Sequence, residues 1–175
     1  MKYLKWIGVL LGTVLILLFG SYLYYFEILE DDYFNINASQ YLVNENQIAV
    51  NGYDLTEYFT SNRAVKGDTT YLLKYDGAKY LFASEENLLL FKEHPQNFLP
   101  QYGGYCAFGL GMEAGEGIGM NKPGKYPSTP SSFKVVNNKL YLFFDSSIFH
   151  AKEKWEKNES KFINNANSAW KEMKK

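Results

Sequence analysis

The sequence has one cysteine in 175 residues, Cys106, and two histidines, His94 and His150. One cysteine excludes an internal disulfide, so the fold must be stable without a covalent staple. Those three residues fall short of the four Cys or His ligands of a structural zinc site. A surplus of one charge is also missing, since the formal net charge is -1. With no basic stripe carrying interleaved aromatics, nucleic acid is not expected as a partner. The glycine-rich stretch "GLGMEAGEGIG" lacks the Gly-Lys-Ser/Thr of a phosphate loop, because Gly124-Lys125 is followed by Tyr126. The spacing of Gly109, Gly111 and Gly115 also misses the dinucleotide fingerprint. Such glycines mark positive φ or close backbone approach. No pair of carboxylates set for acid–base chemistry stands out. Glu113 and Glu116 read as a solvated face. Nothing places a histidine against Cys106 as a catalytic base must be placed, and the chain is not expected to be an enzyme.

One long apolar run is present. "WIGVLLGTVLILLFGSYLYYF", Trp6 to Phe26, carries no charge. As a helix it reaches about 32 Å, enough to cross a bilayer core. Lys2 and Lys5 precede it, while Glu27, Glu30, Asp31 and Asp32 follow it. That asymmetry favours a cytoplasmic N-terminus and an extracytoplasmic remainder, periplasmic or extracellular. A cleaved signal peptide is the alternative, but its apolar stretch is shorter and ends at small residues. Residues 1–26 are therefore read as a membrane anchor or signal segment, residues 27–46 as a juxtamembrane tether, and residues 47–175 as one folded domain.

Aromatics are plentiful, with 15 Tyr, 13 Phe and 3 Trp, which suits strands and a tight core. "QIAVNGYD" reads as a short strand and a turn at Asn51-Gly52, and "DLTEYFTSN" as a short helix capped by Asp54. Two β-prone runs flank Asp76-Gly77, a hairpin signal. Ser84 caps a helix that Pro95 ends, with Leu88, Leu89 and Phe91 facing inward. A glycine-rich loop around Cys106 runs to about Pro130. "SSFKVVNNKLYLFFD" forms a second hairpin, turning at Asn137-Asn138. Residues 146–174 read as helix, irregular near Asn164-Asn165. No internal repeat beyond the two hairpins is expected. The fold class is α+β, a small domain of two β-hairpins and packed helices preceded by one transmembrane helix.

Cys106 admits several readings. It is a free thiol, an intermolecular partner, a metal ligand or a small buried apolar group. Thiolate and thioether ligands select Cu(I), so Cys106 with Met112 or Met120 would suit that ion. His94 stands at a helix C-terminus, where a charged histidine is favourable without any ligand.

The segments "NGYDLTEYF", "AVKG", "YDGAKYLFASEENLLLF", "HPQNFLPQYGGYCAFG", "KVVNNKLYLFF" and "ANSAW" together resemble the YHS-domain family. They resemble in particular its extracytoplasmic members with a "PQYGGYCA" core, over about residues 47–172. The resemblance implies a small α+β domain and a role in binding heavy metals, copper first. Related modules occur in copper-transport ATPases and multicomponent hydroxylases. The family cysteine falls on Cys106, and its surrounding core on Tyr53, Asp54, Tyr58, Phe59, Tyr102, Gly103, Gly104 and Tyr105. Where metal-binding members carry two cysteines this chain has one, and Leu55 stands where proline is common. His94, a methionine, a tyrosine or a second molecule would have to complete a metal site. The expected function is thus a membrane-anchored YHS module that binds a metal through Cys106, with a metal-handling protein as a possible partner. The alternative is a small-ligand or protein-interaction module with an inert, buried Cys106.

Overall fold

The computed structural model describes residues 13–21, 40–117 and 122–173. The chain divides into two units, Met1–Asn37 and Ala38–Lys175. In the first, residues 13–21 are helical and exposed. Among the described residues no helix is long and apolar enough to cross a membrane. The rest of the run from Trp6 to Phe26, and the tether up to residue 39, lie outside the described residues.

The second unit is a mixed α and β domain. Its elements are α1 (Glu57–Thr60), β1 (Asp68–Tyr75), β2 (Ala78–Phe82), α2 (Glu85–Glu93), α3 (Ala107–Gly111), β3 (Thr129–Val136), β4 (Lys139–Phe143), α4 (Ala151–Glu156) and α5 (Glu159–Met173). Single 3-10 turns occur at Val50–Gly52, Pro95–Asn97 and Gln101–Gly104. Each hairpin is its own two-stranded antiparallel sheet. The turns are those the sequence specifies: φ is positive at Asp76 and Gly77, and at Asn137 and Asn138, which matches the twist of the flanking strands. Ser84 caps α2 by accepting the Asn87 N–H at 3.2 Å. The core is aromatic. Phe91 packs between Tyr80 and Phe82, with ring centroids 5.2 and 5.1 Å away. The folded unit begins before residue 47, since Tyr41 is buried and the Leu42 N–H donates to Gly103 O at 2.8 Å.

The two halves of this domain repeat one another. Every strand pair of the first hairpin reappears in the second 61 residues later, from Asp68↔Phe82 and Thr129↔Phe143 to Tyr75↔Ala78 and Val136↔Lys139. The bulge recurs at the same place, between Asp68 and Leu72 and between Thr129 and Phe133. Each hairpin is preceded by three consecutive left-handed residues. These are Val50, Asn51 and Gly52 in the first half, and Tyr102, Gly103 and Gly104 in the second. Each triplet is closed by a backbone bond, Tyr53 N–H to Val50 O and Tyr105 N–H to Tyr102 O. A parallel bridge ties each turn region to its own hairpin, Ile48 to Lys79 and Pro100 to Leu140. Trp155 packs on Tyr141 and Phe143 at 5.3 and 5.1 Å, as Phe91 does on Tyr80 and Phe82. The repeat went unread in the sequence because little of it is identity beyond Tyr80-Leu81-Phe82 against Tyr141-Leu142-Phe143.

Four further expectations are corrected. "QIAVNGYD" forms isolated bridges and a 3-10 turn in place of a strand. Leu89 is 52 % exposed, and only Phe91 of its helix is fully buried. The glycine-rich stretch is a loop only in part, for α3 begins directly after Cys106 and is buried throughout. Its glycines serve close approach: a Cβ at Gly111 would strike the Phe162 backbone, and one at Gly109 would lie 2.6 Å from the Tyr126 ring. The long C-terminal helix breaks at Lys157-Asn158 and not at Asn164-Asn165. Asn158 starts α5 by accepting the Lys161 N–H at 3.2 Å.

Candidate functional site

Each half places one short side chain directly after its left-handed turn and its tyrosine. In the first half it is Asp54, wholly buried. One carboxylate oxygen accepts the Thr56 N–H at 2.8 Å and the Thr56 hydroxyl at 2.7 Å. The other accepts the Ala83 N–H at 2.8 Å and the Asn87 side-chain amide at 2.7 Å. A buried carboxylate is tolerated only when it is bonded in this way. Asn87 also donates to Glu57 at 2.9 Å. A bond from the Ser61 hydroxyl, and after it this one from Asn87, hold the Glu57 carboxyl below its usual pKa. Asp54 therefore ties the start of α1 to the end of β2 and the first turn of α2.

In the second half the equivalent residue is Cys106, also wholly buried. Its sulfur accepts the Phe144 N–H at 3.2 Å and the Gly109 N–H at 3.4 Å. Phe144 follows the last residue of β4 as Ala83 follows the last residue of β2. The backbone repeats as well: the Asp54 N–H donates to Val65 O, and the Cys106 N–H to Tyr126 O. Cys106 is thus the N-cap of α3. Burial pushes its thiol pKa up, against the opposing pull of the Phe144, Gly109 and Phe108 N–H groups. A thiol in such surroundings is protonated at neutral pH and poorly nucleophilic.

The other candidate residues fall in two places. Tyr102, Gly103, Gly104 and Tyr105 are buried around Cys106. A Cβ at Gly103 would collide with Gln40 O, which is why glycine stands there. The Tyr102 hydroxyl donates to Asn167 Oδ1 at 3.0 Å, and burial raises its pKa. Tyr105 lies 6.1 Å from the Trp170 ring, which Lys125 covers at 5.2 Å. Met112 is buried at the C-cap of α3. Met120 lies outside the described residues. His94 is at the surface, its side chain 57 % exposed and 3.8 Å from Glu93. It caps α2 through its backbone N–H to Leu90 O. Cys106 is wholly buried whereas His94 lies at the surface. Among the described residues no three His, Cys, Asp or Glu side chains gather as metal ligands.

Sequence reasoning missed three features. His150 pairs with Asp145 at 2.6 Å at the corner between β4 and α4, and that bond raises the histidine pKa. Glu113 and Glu116 are not simply solvated, for both reach Lys161, at 3.1 and 3.2 Å. A cleft of about 250 Å³ opens between the Gln101–Gly103 turn and the C-terminal part of α5. Its residues come from three distant stretches of sequence, which no local motif could have joined.

Residues 56–102 match the family model described as the YHS domain. No curated protein and no solved structure matches the chain. The matched segment begins two residues after Asp54, spans the first hairpin and α2, and ends at Tyr102 in the second left-handed turn, so neither Asp54 nor Cys106 falls within it.

Proposed function

Taking the chain as a member of the YHS-domain family, we propose that it is a non-enzymatic binding module. In this reading the apolar run at residues 6–26 holds it to a membrane with the folded unit outside the cytoplasm, and Cys106 is a structural acceptor. The observation that carries this reading is the equivalence of Cys106 and Asp54. Both groups are wholly buried, and each accepts the N–H that follows its own hairpin and an N–H at its own short helix, that of the N-cap Thr56 for Asp54 and that of Gly109 for Cys106. Each closes a corner of the fold. A sulfur so occupied has little left to offer a ligand.

Metal binding is the second reading, and the family association with metals favours it. Copper is the first candidate metal, since Met112 ends the helix that Cys106 begins and both offer soft ligands. Such binding requires the sulfur to give up the Phe144 and Gly109 N–H groups.

Competition for Cu(I) and Zn(II) under reducing conditions separates the two, with the full chain compared with Cys106→Ala. The structural reading expects no tight stoichiometric binding by either form. It also expects the thiol to resist alkylation until the protein unfolds. Tight binding lost in Cys106→Ala would overturn it and make Cys106 a ligand.

A further inference from the structure

The cleft beside the second left-handed turn has an unusual lining. Four residues with side-chain amides line it, Gln40, Gln96, Gln101 and Asn167, together with Tyr41, Tyr102 and Trp170. Among the described residues no charged side chain lines it, and the nearest carboxylate bonded to its wall is Asp76, which accepts from the Gln40 amide at 3.3 Å. Its volume, about 250 Å³, lies just below the ~300–1,000 Å³ of drug-sized sites. That is room for one small ring and not for a peptide strand.

The walls are fixed in advance. Tyr102 is a non-glycine residue at φ 57 and ψ 30, a conformation that costs about 1–3 kcal/mol and persists only where its surroundings enforce it. They do so here. The Leu42 N–H bonds Gly103 O, Gln40 O packs against Gly103, and the Tyr102 hydroxyl is held by Asn167. Trp170 is braced by Tyr102 and Tyr105, both at 6.1 Å. Hydrogen-bonding capacity remains on the cleft amides. Asn167 uses its oxygen for Tyr102, Gln96 uses its NH₂ for Tyr75, and Gln40 uses its NH₂ for Tyr41 and Asp76. Among the described residues the Gln101 amide makes no hydrogen bond.

We propose that this cleft is a carbohydrate subsite that takes one neutral sugar ring. Each sugar hydroxyl both donates and accepts, as amides do. The C–H face of a sugar is apolar and packs on an aromatic ring. A lining without charge gives no reward to an anion or a cation, and burying either one unpaired is costly. This deepens the binding-module reading above and rests on it.

The test uses the full chain in a detergent without a sugar headgroup. Ligand-observed NMR follows saturation transfer to glucose and N-acetylglucosamine, with glycerol as an open-chain polyol control. Saturable transfer to at least one sugar is expected, exceeding that to glycerol. Loss of two amide partners in the double variant Gln101→Ala/Asn167→Ala should weaken binding about tenfold or more. Gln101→Ala alone removes no intramolecular bond and keeps the test open if the double variant is unstable. Its binding should weaken measurably. No transfer to either sugar, equal transfer to glycerol, or variants that bind like the parent would each overturn the proposal. The metal competition reads Cys106 independently. A sugar-negative protein with a metal-silent thiol would lose this inference and keep the binding-module reading.

Discussion

A buried acceptor is defined by what it satisfies. The sulfur of Cys106 and the carboxylate of Asp54 stand at matching corners, yet they differ in size and charge. Sulfur accepts weakly and at longer range, 3.2 and 3.4 Å. The carboxylate accepts at 2.7 to 2.8 Å from four donors. Replacing Cys106 by alanine leaves the Phe144 and Gly109 N–H groups without that partner, and an unsatisfied buried donor costs about 1–3 kcal/mol. Cys106→Ser retains an acceptor and should lose less. Asp54→Asn is the more damaging change. Its NH₂ would face the Ala83 N–H or the Asn87 amide, donor against donor, for an expected loss of about 2–4 kcal/mol. Urea denaturation of the three variants should rank them Asp54→Asn, Cys106→Ala, Cys106→Ser from most to least destabilised. A Cys106→Ala protein as stable as its parent would end the structural account of the thiol.

The hairpins were legible in the sequence because Asp76-Gly77 and Asn137-Asn138 announce two-residue turns, and a turn fixes the register of the strands it joins. Ser84 and Pro95 marked α2 for similar local reasons. Helix α3 was not legible. Its five residues include two glycines, which oppose helix formation by about 1 kcal/mol each, and it forms because those glycines let it approach Phe162 and Tyr126. Asn158, the true start of α5, was passed over for Asn164-Asn165, because a cap is recognised by the backbone it ends and not by residue type alone. Nor did the sequence show the cleft, whose amides are scattered from residue 40 to residue 167. At the corner between β4 and α4, the pair His150–Asp145 makes a prediction for pH. The histidine pKa is raised in the fold by the aspartate bond. The stabilisation is therefore complete below the unfolded value of about 6.5 and is lost as pH rises through the higher folded value. Between about pH 5.5 and pH 8.5 the urea midpoint of the parent should fall relative to that of His150→Gln, other groups being common to both. Parallel pH profiles would show that the pair contributes nothing.

Over the whole molecule, the repeat raises the question whether each half folds alone. The offset between halves is 52 residues from Val50 to Tyr102 and 61 from Asp68 to Thr129. The second half thus carries nine extra residues between its turn and its hairpin, in the glycine-rich stretch. Several contacts cross between the halves. The Tyr58 hydroxyl of the first donates to Pro130 O of the second at 2.9 Å, and its ring meets Phe133 at 4.7 Å. Leu140 and Leu142 belong to the same buried cluster as Leu55, Phe82 and Phe91. With the core shared, neither half buries enough apolar surface by itself, and small units of this size are marginal even when complete. The folded unit should therefore unfold in one step. Its two tryptophans, Trp155 and Trp170, both lie in the second half, whereas far-UV dichroism reports on both halves. In the full chain with Trp6→Phe, fluorescence and dichroism should give coincident urea transitions. Tyr58→Phe, which removes the bond to Pro130, should shift both together by about 1 kcal/mol. Separate transitions, or a Tyr58→Phe effect seen by one probe only, would mean that the halves are independent modules.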